Sequence, residues 1–476
     1  MHFVPARRAL LAAVRAAEER LRRRARGDPE AFARRYLPHY LRVEPAGFHR
    51  YLYRCMAGEE LAGAAQTGAG RCLAFAAPRG HAKSTLVTLI FVLWSLCTRR
   101  KRCILLVSDT EAQAEMFLAD LRAELEHNDL LRADFGELLG PVWRQDQILC
   151  ASGARVVARG TGSALRGLRS RSARPDLIVA DDLENDGHVS SSELRRKVWH
   201  WFTTALMNAL DPEGEIWVIG TILHHDSLLA NLVGGNAERG IAPWPGRVWQ
   251  ALDAEGRALW PALWSAERLA ARRRLIGSIA FAQEFLNQPA SAAGNLFRSE
   301  WLDAPEAWYE VLPAGLDFYQ AVDPAIARGD DADYFCLVTI GRAAGCGDLY
   351  VADIVRGRFR FEEQVALILA QAARWQPVQI GIEAVAYQQG LADALLAHAA
   401  LPVVAVRAPA DKFTRAQRLS ALMENAKIKL RRGDPRMYAL RDELLQFPHG
   451  AHDDQVDALG YAASLAALPG AQVAIL

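Results

Sequence analysis

Residues 77 to 85 read APRGHAKST and have the composition of a phosphate-binding loop. They follow an apolar, strand-like run and open a helical pattern, which is the context that a P-loop requires. Such a loop places backbone N–H groups at a helix start, with a lysine for the β and γ phosphates and a hydroxyl for Mg²⁺. Lys83 and Ser84 match the last two roles, which predicts that ATP and one Mg²⁺ bind here. The expected nucleotide contacts are Pro78, Arg79, Gly80, His81, Ala82, Lys83, Ser84 and Thr85.

The loop departs from the GxxxxGK[ST] pattern, because Ala77 and Ala82 stand where that pattern has glycine. A positive φ at Ala82 would cost about 1 kcal/mol, which a folded domain tolerates. A chance Gly and Lys at a helix start is the alternative interpretation. Arg79 lies inside the loop and is either a catalytic group that stabilises charge on a transferring phosphate or a member of a surface ion pair.

Residues 177 to 182, LIVADD, form a second apolar run that ends in two carboxylates. A buried strand that delivers an aspartate at its end is how Mg²⁺ is held opposite a P-loop hydroxyl. We therefore expect Asp181 to contact the ion and either Asp182 or Glu184 to activate the attacking water. The run EIWVIGT then places Thr221 to contact the γ phosphate. An ordinary acidic loop after a strand is the alternative.

Two further segments are rich in arginine. Six arginines lie between Arg155 and Arg174, both ends counted, with glycines interspersed. This segment either contacts phosphates of DNA or ATP, or is a solvated loop. The N-terminal 40 residues carry a cluster at Arg22 to Arg26, which predicts an amphipathic surface helix or an arm that binds DNA or a partner.

The C-terminal half holds acids at the ends of predicted strands and at the start of the last helix. Asp323 ends one strand and Glu383 ends another, while Asp454 and Asp457 lie one turn apart in HDDQVDAL. Two-metal phosphodiester cleavage needs three or four carboxylates around two cations about 4 Å apart. The order of strand Asp, strand Glu and helical Asp predicts a ribonuclease H-like nuclease with two Mg²⁺ or Mn²⁺ ions. Taken singly, each acid could be a surface charge, and Asp454 could cap its helix.

The elements that must position these residues fall into two blocks. From about Arg71 to Leu229, apolar runs alternate with helical patterns, which predicts a parallel sheet flanked by helices. From about Gly315, three strands in succession are followed by alternating helix and strand, which predicts a mixed sheet. Expected helices in both blocks span 111–128, 361–375, 412–425 and 453–468.

The fold class is therefore α/β, with an N-terminal P-loop ATPase domain on a parallel sheet and a C-terminal ribonuclease H-like nuclease domain on a mixed sheet. The expected divisions are a helical arm at 1–40, the ATPase domain at 41–233, a linker or subdomain at 234–310 and the nuclease domain at 311–476. A chain of 476 residues is long enough for two or three cores.

Composition narrows the class of protein. A hydrophobic fraction of 51% and a charged fraction of 23% are typical of a globular domain. The longest mostly apolar run, 85–98, is too short to cross a bilayer, and no membrane partner is expected. Seven widely spaced cysteines without a CxxC pair favour reduced core thiols in the cytoplasm over disulfides or zinc. The net charge of only +1 disfavours a large nonspecific DNA surface but allows a local basic groove.

The motifs together resemble terminase large subunits of tailed bacteriophages or prophages. The segments that carry the resemblance occur in the family's order over nearly all of the chain beyond about residue 40. They are APRGHAKST, RPDLIVADD, FAQEFLNQP, AVDPA, IEAVAYQQG, DKFTRAQRLSAL and HDDQVDALGYA. FHRYLY near Phe48 is similar to the family's segment that contacts adenine. Many relatives have Glu at the position of Asp182, which leaves the water-activating residue undecided between Asp182 and Glu184.

The resemblance implies an ASCE-type, RecA-like ATPase joined to a nuclease of ribonuclease H type. It implies a motor that hydrolyses ATP to move double-stranded DNA into a procapsid and cuts concatemeric DNA. The implied partners are double-stranded DNA, a small terminase subunit and the portal protein, on which the chain would form a homo-oligomeric ring. The implied location is the cytoplasm of an infected or lysogenic bacterium, not the mature virion.

Three other classes of protein were weighed against this interpretation. One is an ATP-dependent DNA translocase or helicase whose ribonuclease H-like domain is inactive and only binds DNA. A DDE transposase fits less well, because its usual acid order is Asp, Asp, Glu. A decayed, non-enzymatic scaffold is disfavoured because Lys83, Asp181, Asp323 and Glu383 are all present.

Overall fold

In the computed structural model, placement is described for residues 3–59, 70–165, 174–189, 191–237, 239–289, 295–324, 334–383, 391, 394–395, 401–406, 412–450 and 452–467. Only the backbone is described for residues 3–12, 383 and 412–414. The chain forms two compact units. The first comprises Met1–Ala270 with Ala282–Ala290, and the second comprises Ala271–Phe281 with Ser291–Leu476.

The first unit is built on an eight-stranded sheet in the order β3-β4-β5-β2-β6-β7-β1-β8. Its strands are β1 Arg71–Ala76, β2 Cys103–Ser108, β3 Val142–Trp143, β4 Gln147–Leu149, β5 Arg155–Gly160, β6 Leu177–Asp181, β7 Glu215–Gly220 and β8 Gly246–Val248. In the order of the sheet, all neighbouring strands from β5 through β2, β6, β7 and β1 to β8 are parallel. The pairs β3–β4 and β4–β5 are antiparallel. Because β7 lies between β1 and β6, the carboxyl ends of all three strands meet at one edge, where open parallel sheets bind ligands.

The helices of the first unit cover this sheet. They are α1 Phe3–Gly27, α2 Pro29–Tyr36, α3 Gly47–Ala57, α4 Thr85–Ile90, α5 Phe91–Cys97, α6 Glu111–His127, α7 Asp129–Phe135, α8 Asp186–Val189, α9 Ser192–Trp201, α10 Phe202–Leu206, α11 Met207–Ala209 and α12 Leu228–Gly234. α4 is π-helical and runs directly into α5, as α10 does into α11. A short 3-10 turn spans Pro38–Tyr40. The predicted helix at 111–128 is confirmed, and Thr110 starts it by accepting a hydrogen bond from the Gln113 amide.

Alternate residues of the central strands enter two separate cores, one on each face of the first sheet. Leu177 and Val179 of β6 join one core, while Ile178 and Ala180 join the other. A strand that is buried on both faces must be apolar at every position, which is why LIVAD reads as a continuous apolar run. The predicted parallel sheet is therefore confirmed, with both faces covered.

The basic N-terminal helix α1 is attached to this unit over its last turns. Ala25 is fully buried, and its carbonyl accepts a hydrogen bond of 3.2 Å from the Trp94 indole. Arg22 forms an ion pair of 2.9 Å with the buried Asp134 carboxylate. These contacts favour the interpretation of this part of the arm as a surface helix.

The segment predicted as a linker contains two helices. A boundary between the two units falls within each of them. These are α13 Ala266–Ile276 and α14 Ser278–Leu286. Residues 234–270 and 282–289 are part of the first unit. None of the helices among the described residues is long and apolar enough to cross a membrane.

The second unit is built on a seven-stranded mixed sheet in the order β14-β13-β10-β11-β12-β15-β9. Its strands are β9 Trp308–Tyr309, β10 Leu316–Asp323, β11 Phe335–Ala343, β12 Leu349–Gly357, β13 Gln379–Glu383, β14 Val403–Val406 and β15 Ile428–Arg431. β10, β11 and β12 are antiparallel neighbours, and the remaining pairs are parallel. The predicted mixed sheet is confirmed.

Among the described residues, five helices accompany the second sheet, besides a 3-10 turn at Pro305–Ala307. They are α15 Ser299–Leu302, α16 Phe361–Trp375, α17 Lys412–Glu424, α18 Pro435–Gln446 and α19 Asp454–Ala467. α19 packs on β10 and β11, with Val456 and Leu459 in the core. β9, β15 and α18 were not predicted from the sequence. β9 and β15 have only two and four residues, too few for a periodic signal to identify a strand.

Candidate active sites

The loop between β1 and α4 has the backbone that a phosphate-binding loop requires. Gly80 has φ 70° and Ala82 has φ 60°, so the expected positive φ at Ala82 is confirmed. The adjoining Lys83 side chain is buried. The loop therefore forms its turn with alanine at the second glycine position of the pattern.

Lys83 lies between the ends of two strands. Its Nζ is 3.2 Å from Oγ1 of Thr221, which follows β7, and 3.3 Å from Oδ2 of Asp182, which follows β6. The Thr221 amide donates to Oδ1 of Asp182 at 3.1 Å, and its hydroxyl donates to the Ala77 carbonyl at 3.2 Å. Three residues predicted for the nucleotide site thus meet at the carboxyl edge of the first sheet.

Asp181 is fully buried beside them. Its Oδ2 accepts a hydrogen bond of 2.5 Å from the Thr88 hydroxyl, whereas its buried Oδ1 has no hydrogen-bond partner. Burial, and then the nearby charge of Asp182, raise the pKa of Asp181 to about 7, against the opposing effects of Lys83 and of the Thr88 and Ser84 hydroxyls.

This arrangement fits the ion that a P-loop implies. Buried polar atoms normally have partners, and an unpaired carboxylate oxygen near a serine hydroxyl offers the oxygen ligands that Mg²⁺ prefers. Asp181 and Ser84 are therefore suitable to hold it. The sequence analysis missed Thr88, although it lies four residues after Ser84 and so one helical turn away.

The structure separates the two candidates for the water-activating residue. Asp182 contacts Lys83, whereas Glu184 accepts a hydrogen bond of 2.7 Å from the Leu228 amide at the start of α12. Burial raises the pKa of Glu184 to about 7, against the amides of Leu228 and Leu229. Glu184 thus stabilises the start of a helix, while Asp182 lies beside the lysine of the loop.

Arg79 forms an ion pair, which is one of the two roles predicted for it. Its Nε is 2.5 Å from Oε2 of Glu284, although the arginine side chain is 63% exposed. Glu284 belongs to the FAQEFLNQP motif, to which the sequence analysis assigned no role. In the same motif, Asn287 accepts from the Ile222 amide at 2.8 Å and donates to the Trp249 carbonyl at 2.7 Å. The motif therefore contacts the loop through Glu284, and it contacts the segments at Ile222 and Trp249 through Asn287.

The arginine-rich segment is only partly described. Arg166, Arg169 and Arg171 lie outside the described residues. Arg159, on β5, forms an ion pair of 3.1 Å with Asp146. A role of this segment in contacting phosphates stays a prediction.

In the second unit, the two predicted strand acids come to adjacent strand ends. β10 and β13 are parallel neighbours, with Val322 paired to Ile382, so Asp323 and Glu383 follow at the same level. Only the backbone of Glu383 is described. Carboxylates are the donor type that divalent cations prefer.

The two helical acids are each engaged by an arginine that the sequence analysis did not identify. Arg356 of β12 binds Asp454 through two hydrogen bonds, of 2.6 and 2.9 Å, and lies 3.5 Å from Glu443. Arg415 of α17 lies 3.1 Å from Asp457. Both carboxylate oxygens of the buried Asp454 are therefore occupied.

Three acids of the second unit, Asp323, Glu443 and Asp454, lie near the buried thiol of Cys336. Cys336 pairs with Asp323 across β10 and β11. Burial, followed by the charges of Asp454, Glu443 and Asp323, raises the pKa of the Cys336 thiol. Within the part of the chain that the structure describes, no three His, Cys, Asp or Glu residues form a group that could hold a metal ion. The structure thus brings the predicted metal-binding acids together only in part. The carboxylates of Asp454 and Asp457 instead pair with the side chains of Arg356 and Arg415.

Comparisons with known proteins bear on the fold of the chain. Residues 320–465 match the family model described as the terminase RNaseH-like domain. The large terminase of a thermophilic bacteriophage, in complex with ADP, is similar, with a TM-score of 0.55 and 9% identity over 88% of this chain and 98% of that chain. Two other crystal structures of that phage protein are also similar, with 10% identity in each. Crystal form 2 has a TM-score of 0.56 over 89% of this chain and 99% of that one. The ATP-γ-S complex has a TM-score of 0.54 over 88% and 98%.

No curated protein matches the sequence. At this level of identity the structural likeness shows the fold. The predicted resemblance to terminase large subunits and the predicted fold class are confirmed. The chain has the fold of a phage large terminase, and residues 320–465 match the model of the terminase ribonuclease H-like domain.

Proposed function

Because the chain has the fold of a phage large terminase, we propose that it is a DNA-packaging motor. It hydrolyses ATP to move double-stranded DNA into a procapsid, and its second unit cuts concatemeric DNA with divalent cations. The observation that carries the ATPase part is the meeting of Lys83, Asp182 and Thr221 beside the unpaired buried oxygen of Asp181. That combination matches the needs of bound phosphate and Mg²⁺ at a sheet edge.

The proposal assigns a role to each of these groups. Lys83 binds the phosphates, Ser84 and Asp181 hold Mg²⁺, and Thr221 senses the terminal phosphate. Bound Mg²⁺ would supply neutralisation of phosphate charge. Asp182 is the proposed acceptor of the water proton, because it is the acid in direct contact with Lys83 and is attached to Thr221. The amides of residues 80–85 complete the site.

Arg79 is proposed to stabilise charge on the phosphates, as an arginine inside the loop can. Arg79 is paired with Glu284, so this ion pair must break before Arg79 can contact a phosphate. Burial raises the pKa of Glu284, against the charge of Arg79. A carboxylate that is costly to keep charged without its partner will resist that opening.

Comparing Asp182→Asn with Glu184→Gln tests the choice of base. We expect Asp182→Asn to bind ATP within about threefold of wild type and to lose about 10²-fold or more in turnover, as for loss of a general base. Glu184→Gln should retain most of its turnover and unfold close to wild type, because the glutamine oxygen can still accept from the Leu228 amide. Equilibrium binding, steady-state phosphate release and unfolding midpoints measure these effects. Full turnover in Asp182→Asn would eliminate Asp182 as the base.

The nuclease part of the proposal rests on Asp323 and Glu383 at adjacent strand ends. One or both of Asp454 and Asp457 are proposed to join them at two Mg²⁺ or Mn²⁺ ions. The proposed partners are double-stranded DNA, a small terminase subunit and the portal protein, on which copies of the chain form a ring. The proposed location is the cytoplasm of an infected or lysogenic bacterium.

Asp454→Ala should lower the stability of the protein, because Arg356 then loses both of its short hydrogen bonds. Removing one partner of a buried ion pair costs about 3–5 kcal/mol. We expect about 1–3 kcal/mol here, since exposed pairs contribute less and the Arg356 side chain is 27% exposed. Denaturant unfolding of the full chain gives the value.

Asp453→Ala is the matched control, since it removes the neighbouring carboxylate from the residue that precedes α19. It should cut DNA normally. At least one of Asp454→Ala and Asp457→Ala should fail to cut DNA under conditions in which the variant is folded. An essential Asp453 with both other acids dispensable would contradict our placement of α19.

A second candidate function is an ATP-dependent DNA translocase or helicase with an inactive ribonuclease H-like domain. The observation in its favour is that arginines engage both helical acids, Asp454 and Asp457. Cleavage of plasmid DNA by the purified full chain with Mn²⁺ or Mg²⁺ distinguishes the two. Phosphate release measured with and without linear double-stranded DNA tests the motor. Absence of ATP hydrolysis would contradict both candidates.

A further inference from the structure

The backbone carbonyls of the phosphate-binding loop are held from outside by side chains. Nε1 of Trp264 donates to the Gly80 carbonyl at 3.0 Å, and Nε2 of His49 lies 3.0 Å from the His81 carbonyl. Nδ1 of His81 lies 3.0 Å from the Arg79 carbonyl. Three successive carbonyl oxygens of the loop thus have a partner that is an aromatic N–H group.

The protonation of both histidines follows from these contacts. A carbonyl only accepts, so Nε2 of His49 must carry the hydrogen, and its Nδ1 accepts from the Ala46 amide at 2.9 Å. Burial lowers the pKa of His49 and of His81 to about 4. Both rings are therefore neutral near pH 7, and each has the tautomer that donates to the loop.

Planarity of the peptide bond converts these carbonyl contacts into directions for the amides. In a trans peptide, the C=O of one residue and the N–H of the next point in opposite directions. Fixing the carbonyls of Arg79, Gly80 and His81 therefore turns the amides of Gly80, His81 and Ala82 to the other side. Among the described residues, these three amides have no hydrogen-bond partner. They are the groups that a phosphate would bind.

The outer side of the loop is also enclosed by rings. The His81 imidazole stacks on Trp264 with 6.0 Å between centroids and 8° between planes. A Cβ added to Gly80 would lie 3.3 Å from the Trp264 ring. Phe285 contacts the edge of Trp264 at 5.4 Å. The indole therefore lies against the loop on the side to which the Gly80 carbonyl points.

We propose that Trp264 and His49 are positioning residues that hold the amides of Gly80, His81 and Ala82 ready for the phosphates of a nucleotide. This inference rests on the proposed function and assigns a task to a tryptophan in the segment before α13. These hydrogen bonds, here called tethers, act on a loop that has alanine at position 82 where the pattern has glycine. By holding the peptide planes before the nucleotide arrives, they reduce the ordering that binding requires.

Trp264→Phe tests the inference, because it keeps a ring against the loop and removes only the N–H donor. Trp260→Phe is the matched control, since that indole donates to the Glu44 carbonyl at 2.9 Å and not to the loop. We expect Trp264→Phe to weaken binding of ADP and of ATP by about 5–10-fold, as for the loss of one hydrogen bond. Turnover at saturating ATP should change by less than about twofold, because the tethers act on binding. Trp260→Phe should bind both nucleotides like wild type.

A second pair of variants tests the next carbonyl. His49→Gln keeps a donor and should bind ADP within about twofold of wild type, whereas His49→Leu has none and should bind about 5–10-fold more weakly. Calorimetric titration with ADP and the KM and kcat for ATP are the readouts, with unfolding midpoints for each variant. Weakening of equal size in Trp264→Phe and Trp260→Phe would indicate general loss of packing and overturn the inference.

The Lys83→Ala variant separates the two levels of the proposal. If wild type binds ADP, Lys83→Ala does not, and Trp264→Phe binds like wild type, the positioning role is wrong and the nucleotide site stands. If wild type itself binds neither ADP nor ATP, the proposed ATPase is wrong, and the positioning role is wrong with it.

Discussion

Lys83→Ala should abolish ATP hydrolysis by the full chain while leaving metal-dependent DNA cleavage intact. Lys83 is the cation closest to the proposed phosphate position, and its Nζ is held by Thr221 and Asp182 at 3.2 and 3.3 Å. Its removal deletes the charge that offsets the phosphates and leaves Asp182 without its partner. Loss of one such electrostatic group typically costs about 10²–10³-fold in turnover. Steady-state phosphate release with saturating DNA measures the effect.

Lys197→Ala is the matched control for that experiment. Lys197 is exposed on α9 of the same unit and pairs with Glu193 at 2.8 Å, so the substitution changes the charge equally without reaching the loop. It should hydrolyse ATP like wild type. Hydrolysis by Lys83→Ala near the wild-type rate would mean that the loop is not the phosphate site. Plasmid cleavage by both variants shows whether the second unit is undisturbed.

Asp323→Ala should eliminate DNA cleavage while ATP hydrolysis continues. Asp323 ends β10 beside the end of β13, so it is the strand acid nearest to Glu383 in the sheet. Asp323 would be one of the residues that hold the proposed cations, so we expect its removal to reduce cleavage by about 10³-fold or more. The measurement is plasmid cleavage with Mn²⁺ and with Mg²⁺, followed over time.

Asp317→Ala controls for loss of a carboxylate on the same strand. Asp317 is exposed near the opposite end of β10 and pairs with Arg342 in register. This variant should cut DNA like wild type. If Asp323→Ala cuts DNA as fast as Asp317→Ala, the proposed nuclease site is wrong, and the candidate with an inactive ribonuclease H-like domain becomes the better one.

Several features of the fold followed from local sequence. The predicted helix at 361–375 has the same bounds in the structure, because its apolar residues recur at helical spacing. β6 and β7 were recognisable because a strand buried on both faces is apolar throughout. Asp181 could be assigned to a strand end because it follows such a run directly, and Asp323 because it follows the shorter apolar pair Ala321 and Val322.

The partners of the charged residues could not be predicted in the same way. Arg79 and Glu284 are 205 residues apart, and Arg356 and Asp454 are 98 apart. Each pair meets only because particular segments pack together in one register, and no local pattern records which segments those are. The same holds for Trp264, which reaches Gly80 across 184 residues.

The sequence by itself determined where the two candidate sites lie and their order along the chain. A phosphate loop and a strand-end aspartate are specified by residue types within a few positions of one another. The tertiary structure decided which acid meets Lys83, because Asp182 and Glu184 are two residues apart but leave β6 in different directions. Asp182, with φ 48°, turns back to the loop, while Glu184 continues to the start of α12. Spacing alone cannot distinguish them, since the backbone turn at Asp182 depends on its contacts with Ile219 and Thr221 from the neighbouring strand.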